Sequence, residues 1–373
     1  LEDLQREFNK VNLFSLNMKN WQEEFLKAQD FLRDCEKKRV HIFHDSDADG
    51  IGAGLQLFHT LKRLKAKPTI STHAERDDIL SKEAYEAANA LSPQRVIIAD
   101  VNPISNKTYD LFKEIFPDTP TLIIDHHHVE PYTDEVYVHG GELNNVEGAD
   151  YCTAKIAYDI CTSVLSTAQD FAWLAATGII GDMNQEYFES VIRTALVQES
   201  FDPDQNVYSC ELSVVNESIH CCEARDNQSL QNYLQDLQEC ETLKEAIKLG
   251  NPHPEIIEEF HNLVSYAETQ VSDKVINWID LDTQFGIAGW VADTVSIKHP
   301  ETIFAIYHPD GDRYTMSLRN QSRKVHLGEI SRKCSEAVGG SGGGHKPAAG
   351  AKVPKEQLTE FQQLVEQEVI NRL

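Results

Sequence analysis

Three short apolar runs early in the chain each lead into acidic residues, and this repetition limits the folds open to it. Val40-His41-Ile42-Phe43 runs into Asp45-Ser46-Asp47-Ala48-Asp49-Gly50, Val96-Ile97-Ile98 into Asp100, and Leu122-Ile123-Ile124 into Asp125-His126-His127. Apolar runs this short read as buried strands, and the stretches 52–65 and 82–91 have helical spacing. Strands at 40–43, 95–99 and 121–124 alternating with helices predict an α/β fold, a parallel sheet with helices on both faces. Sites in open α/β sheets form beyond the C-terminal ends of the strands, which is where these acids fall. A single Asp after a strand can be a turn residue or a helix N-cap. Several in equivalent positions point to a shared task.

Asp45, Asp47 and Asp49 stand on alternate residues. Ionised together they repel, and any loss of water makes each unpaired charge more costly. A divalent cation removes that conflict. Asp100, His126 and Asp182, the last after Gly178-Ile179-Ile180-Gly181, offer oxygen and imidazole donors in matching settings. The set points to hydrolytic chemistry at two metal ions. His41 and His44 are read as supporting residues, and the role of His128 is left open.

A chain of 373 residues suggests two domains. Lys and Arg number 34 against 60 Asp and Glu, for a net charge of −26. Such a chain repels long polyanions in general, so a nucleic-acid partner needs a local basic site or metal ions. The eight cysteines form no C-x-x-C pair and read as reduced thiols of a cytoplasmic protein, neither a disulfide framework nor a zinc site. No apolar run approaches the ~20 residues that span a bilayer, and no signal-peptide pattern is visible, so no membrane partner is expected. The start at Leu1 reads as a trimmed N-terminus. Oligomeric state is left open.

Residues 1–38 read as a helical lead-in and 39–260 as the catalytic domain with a helical extension; 261–272 reads as a linker and 273–373 as a smaller α/β substrate-binding domain. Strands are expected there at 275–279, 302–307 and 314–318, and helices at 286–297, 325–338 and 354–373. The run Gly339-Gly340-Ser341-Gly342-Gly343-Gly344 ends in His345-Lys346. Glycines allow close backbone approach, and successive N–H groups can cradle an anion. Arg319, after a strand, could clamp a phosphate through two parallel hydrogen bonds.

In order, D-x-D-x-D-G, a strand-end Asp, D-H-H, G-D and a late G-G-G-H resemble the DHH phosphoesterase superfamily with its associated C-terminal domain, over about 40–353. The 45–50 run looks like the RecJ-type motif. Ala175-Ala176-Thr177-Gly178-Ile179-Ile180-Gly181-Asp182-Met183 is similar to archaeal RecJ-like nucleases, including the GINS-associated type. The resemblance implies that Asp45, Asp47, Asp49, Asp100, His126 and Asp182 hold two divalent ions, Mn²⁺ before Mg²⁺, with Asp100 between them. His127 would position substrate or assist proton transfer. Arg319, Gly342, Gly343, Gly344 and His345 would bind substrate phosphates, and a hinge at about 260–275 would close the second domain. The implied activity is a RecJ-like exonuclease on single-stranded DNA or RNA, with a replication or repair protein as a possible partner. The alternatives are a phosphodiesterase for short oligonucleotides or pAp, and a non-catalytic replication scaffold. One departure stands out. Where RecJ-like chains carry an Asn-containing turn and a Gly-Arg pair, this chain has Val215-Asn216 and then Ile219-His220.

Overall fold

The computed structural model describes residues 20–71, 80–104, 107–127, 135–146 and 150–373. The chain divides into two compact units, 1–222 with 226–251 and 223–225 with 252–373.

The first unit is built on five parallel strands: β1 (Arg39–His44), β2 (Lys67–Ile70), β3 (Arg95–Ala99), β4 (Thr121–Asp125) and β5 (Val136–His139). They lie in the order β2-β1-β3-β4-β5. The central strands are continuous apolar runs because both faces are buried. Ile42, Ile97, Ala99, Leu122 and Ile124 face a core shared with α1 (Trp21–Arg33), α2 (Ala48–Arg63) and other helices. Phe43, Val96, Ile98, Ile123 and Tyr137 face a second core with α3 (Lys82–Ala90) and α4 (Tyr109–Ile115). The short helix α5 (Gly140–Asn144) follows β5. The sheet and its two helical layers agree with the sequence expectation. The edge strands β2 and β5 escaped it; β2 is only half-buried and contains Pro68, which suits an edge.

Helices α6 (Thr153–Val164), α7 (Ala172–Gly181) and α8 (Gln185–Gln198) complete the part that frames the acids. Glycines let α2, α6 and α7 converge. A Cβ at Gly52 would lie 2.5 Å from the Leu174 carbonyl oxygen, and one at Gly178 2.5 Å from the Ala154 Cβ. Three more helices follow, α9 (Glu211–Arg225), α10 (Asn227–Gln238) and α11 (Leu243–Leu249). Val215 and Asn216 are inside α9, not in a turn, and the Asn216 amide donates to the Thr177 carbonyl at 3.1 Å.

The second unit carries α12 (Pro254–Thr269), β6 (Ile276–Asp280), α13 (Ala288–Lys298), β7 (Ile303–Asp310), β8 (Arg313–Arg319), α14 (Leu327–Ala337), β9 (Ser341–Gly344), β10 (Ala348–Pro354) and α15 (Leu358–Arg372). Its strand order is β6-β7-β8-β10-β9; β6 and β7 are parallel and the other pairs antiparallel. Met316, Leu318, Ala351 and Val353 pack with Ile330 and Cys334 of α14 and with Phe361 and Val365 of α15.

Two boundaries differ from the sequence expectation. Residues 261–269 of the expected linker are helical, because Ile256, Phe260, Val264 and Ala267 keep the apolar spacing of α12 running past them. The final helix opens with a 3-10 turn over Lys355–Gln357 and is α-helical from Leu358, Pro354 ending β10. The glycines 342–344 form strand β9, paired with β10. At Gly342 the missing side chain serves packing. A Cβ at Gly342 would lie 2.5 Å from the hydroxyls of Ser331 and Ser335, so α14 can rest on β9 only where side chains are absent. Among the described residues no helix is long and apolar enough to cross a membrane.

Candidate metal centre

Asp45 leaves the end of β1, and the chain turns at once into α2. Asp47 is the N-cap of that helix, accepting the N–H groups of Asp49 at 3.1 Å and Gly50 at 3.0 Å through one oxygen, Oδ1. Gly50 is required here, because a Cβ would lie 2.5 Å from the Asp45 carbonyl oxygen. Asp49 is in the first turn and 1% exposed. Its two oxygens accept the opening N–H groups of α6, from Thr153 at 2.7 Å and Ala154 at 2.8 Å. Those N–H groups have no partner within their own helix and carry its positive dipole end.

Asp100 follows β3 in the left-handed region, with φ of 65°, a conformation Asp tolerates better than most residues. Its Oδ1 accepts the Thr153 hydroxyl at 2.8 Å. Asp125 ends β4 and is wholly buried. Its Oδ1 accepts the N–H groups of His126 at 2.9 Å and His127 at 3.2 Å, and the His127 Nδ1 lies 2.8 Å away. His126 Nε2 lies 3.4 Å from Asp182 Oδ2, 3.5 Å from Asp100 Oδ1 and 3.9 Å from Asp49 Oδ2. Asp182 caps the C-terminus of α7. Two residues on, the Asn184 amide donates to the Asp182 carbonyl at 2.9 Å and its Oδ1 accepts the Cys152 N–H at 2.9 Å.

Donor atoms of Asp45, Asp47 and Asp100 lie within 4.8 Å of one another, as do those of Asp49, His126 and Asp182, and of Asp100, His126 and His127. Asp100 and His126 are each common to two of these groups. Burial, then the Asp47 charge, lifts the Asp49 carboxyl to about 6. Burial and the charges of Asp49, Asp47, Asp45 and Asp182 hold Asp100 well above the ordinary carboxylate range. Burial opposes charge on His127 and on Asp125, but their mutual hydrogen bond outweighs it, lifting His127 to about 9 and holding Asp125 below its usual range. Buried, mutually repelling carboxylates with an imidazole among them fit a hard divalent cation such as Mn²⁺ or Mg²⁺.

All seven acidic and histidine residues singled out in this unit therefore meet at one sheet edge. Of the nearby histidines, His41 bridges the hydroxyls of Thr69 and Ser71 at 2.9 and 2.7 Å, and His44 Nδ1 donates to the Asp45 carbonyl at 2.6 Å. His128 lies outside the described residues. The remaining sequence candidates belong to the second unit. Arg319 is paired with Asp293 of α13, Nη2 to Oδ2 at 3.0 Å, with its Nε donating to Oδ1. Gly342, Gly343 and Gly344 are in β9, and the His345 N–H donates to the Ala348 carbonyl at 2.8 Å. Thr153 and Asn184 escaped the sequence reading. Each acts on partners brought close only by the fold or on its own turn, and neither residue type in a helix start signals an acid more than 50 positions away.

Two family models match in chain order: the N-terminal domain of the DHH family over residues 39–179 and the DHHA1 domain over 269–371. This chain belongs to the DHH family. The Asp-His-His run of the metal centre falls inside the first match. An uncharacterized protein of Methanocaldococcus jannaschii is 29% identical over 127 residues, which are 33% of this chain and 28% of that relative. The chain thus spans well under a third of that protein's length. RecJ of Thermus thermophilus, solved with Mn²⁺, is similar in fold with a TM-score of 0.64 at 18% identity, over 93% of this chain and 55% of RecJ. A DHH domain from a member of the s1p family of ribosomal proteins has a TM-score of 0.69 at 16% identity, over 99% of this chain and 98% of its own.

Proposed function

We propose that this DHH-family chain is a two-metal phosphodiesterase that hydrolyses single-stranded DNA or RNA in the manner of RecJ. The observation that carries the reading is the convergence of Asp45, Asp47, Asp49, Asp100, His126 and Asp182 at the C-terminal edge of the parallel sheet. Asp45, Asp47 and Asp100 would hold one ion, and Asp49, Asp100, His126 and Asp182 the other. The ions supply charge neutralisation at the phosphoryl oxygens and a lowered pKa for water. Mn²⁺ suits the mixed oxygen and imidazole donors, and Mg²⁺ is the second choice.

The protein's own share is orientation. Asp125 accepts the His127 Nδ1–H and fixes the ring, and the imidazole would position substrate or assist proton transfer. Asp47 accepts two N–H groups of the α2 N-terminus through Oδ1, which fixes the orientation of its carboxylate. Arg319, Gly342, Gly343, Gly344 and His345 are assigned to substrate phosphates. A complete donor set speaks for catalysis over a non-catalytic scaffold.

A second reading, hydrolysis of short oligonucleotides or pAp, draws support from the net charge of −26 and from the engagement of Arg319 by Asp293. Both weaken the attraction for a long polyanion. End-labelled 2–5-mers and ~30-mers of DNA and RNA, digested with Mn²⁺, separate the two. Processive loss of the long strands supports the RecJ-like reading. Turnover confined to the shortest substrates selects the second, and no Mn²⁺-dependent turnover of any of them refutes both.

A further inference from the structure

We propose that Thr153 is the positioning residue of the metal centre, its hydroxyl fixing Asp100 in the orientation that ligates. The proposal rests on the metal-centre reading above and deepens it. Thr153 is wholly buried at the first position of α6. Its hydroxyl donates to Asp100 Oδ1 at 2.8 Å, while its backbone N–H donates to Asp49 Oδ2 at 2.7 Å. One residue thereby ties a carboxylate in the first turn of α2 to one at the end of β3.

The two ties differ in a way that makes the hydroxyl separable. Both oxygens of Asp49 are held by backbone N–H groups, of Thr153 and Ala154, which a side-chain substitution leaves in place. For Asp100 the hydrogen bond from this region comes from the Thr153 side chain. A residue opening a helix has no preceding helical turn whose carbonyl its hydroxyl could choose instead. The Thr153 hydroxyl is the donor of this bond and Asp100 Oδ1 the acceptor. The hydroxyl therefore holds the Asp100 carboxylate in one orientation beside its acidic neighbours. Asn184 adds a third tie at the same place, joining the Cys152 N–H to the Asp182 carbonyl. The start of α6 thus organises Asp49, Asp100 and Asp182 together. Partners of metal ligands in this position typically change metal affinity or activity 10–100-fold when removed.

The test uses the whole chain, stripped of metal and titrated with Mn²⁺, following the thermal transition and, separately, the Mn²⁺ concentration for half-maximal hydrolysis. Thr153→Val removes the hydroxyl and keeps the shape; Thr153→Ala removes it without placing a second methyl in a buried site; Thr153→Ser keeps it. The proposal expects both Mn²⁺ midpoints to rise about 10–100-fold for Val and Ala, and Ser to stay within about threefold of the parent. Should the Val variant fail to fold, the Ala variant decides. Unchanged midpoints in the folded variants without the hydroxyl would overturn the proposal. So would a Ser variant as impaired as Val, or reduced turnover at saturating Mn²⁺ with an unchanged midpoint. A parent chain that Mn²⁺ does not stabilise would overturn the metal-centre reading and this proposal with it.

Discussion

The acids of the first unit and the glycines of the second were equally conspicuous in the sequence, yet the fold uses them in opposite ways. Asp45, Asp100 and the Asp125-His126-His127 run stand at the ends of strands buried on both faces of a parallel sheet, so the turn after each strand has one place to go, and Asp182 reaches the same place from the C-terminus of α7. The glycines 342–344 are themselves a strand, and at Gly342 the missing side chain is what lets α14 rest on it. Arg319 shows the same contrast, since it pairs with Asp293 of its own unit. A polar residue just beyond a buried strand is informative because the strand fixes its address. A glycine run carries no such address until its neighbours are known.

Several variants would break or sharpen this contrast. The largest effect is expected from His126→Ala, which removes a donor common to two groups of the cluster. Loss of several kcal/mol of transition-state stabilisation lowers turnover about 10³-fold, while circular dichroism and the metal-free melting temperature stay near those of the parent; retained turnover would remove His126 from the centre.

Crowding the two glycine positions comes next. Gly178→Ala places a Cβ 2.9 Å from Asp49 Oδ1 and 2.5 Å from the Ala154 Cβ. It should cost about 1–3 kcal/mol of stability and also raise the Mn²⁺ requirement. Gly342→Ala, facing the Ser331 and Ser335 hydroxyls at 2.5 Å, should destabilise comparably while leaving the Mn²⁺ midpoint unchanged. Chemical denaturation alongside Mn²⁺ titration of both variants checks the difference; equal Mn²⁺ midpoints in the two would erase it. Arg319→Ala strands a half-buried Asp293 and should cost about 2 kcal/mol in the second unit. With it KM should rise if the guanidinium also meets substrate, and an unchanged KM would leave Arg319 a structural role alone.

The smallest effect is the response to pH, and it has opposite signs in the two units. Asp49 is raised above its ordinary 3.8 to about 6 in the metal-free chain, so its ionisation costs stability. That stability is complete below 3.8 and is lost as pH rises through about 6. Glu268 is partly buried, which favours its neutral form, but hydrogen bonds with His299 and Lys298 prevail and lower it below its ordinary 4.5. Its contribution is present above 4.5 and lost as pH falls through the lowered value. Hydrogen exchange in EDTA between pH 4 and 7 should show the first unit loosening as pH rises and the second not. Added Mn²⁺ should cancel the first trend, and persistence of that trend in Mn²⁺ would count against the assignment.

The strand ends and their acids were legible because buried parallel strands are written as short apolar runs, and β1, β3 and β4 carry three such runs. The edge strands were not, since β2 is half polar and interrupted by Pro68. The chemistry of the donors was legible, but their support was not. Thr153 reaches Asp100 and Asp49 across 53 and 104 positions, and nothing local to Cys152-Thr153-Ala154 encodes that meeting. Residues 261–269, within the span read as a linker, extend α12 because the apolar spacing of 256–267 continues through them.

The most direct test of the metal centre is anomalous diffraction from crystals of this chain grown with Mn²⁺, recorded at the manganese edge. The account predicts two peaks among Asp45, Asp47, Asp49, Asp100, His126 and Asp182, with Asp100 touching both. Absence of manganese from that cluster, or its appearance at other residues, would contradict it.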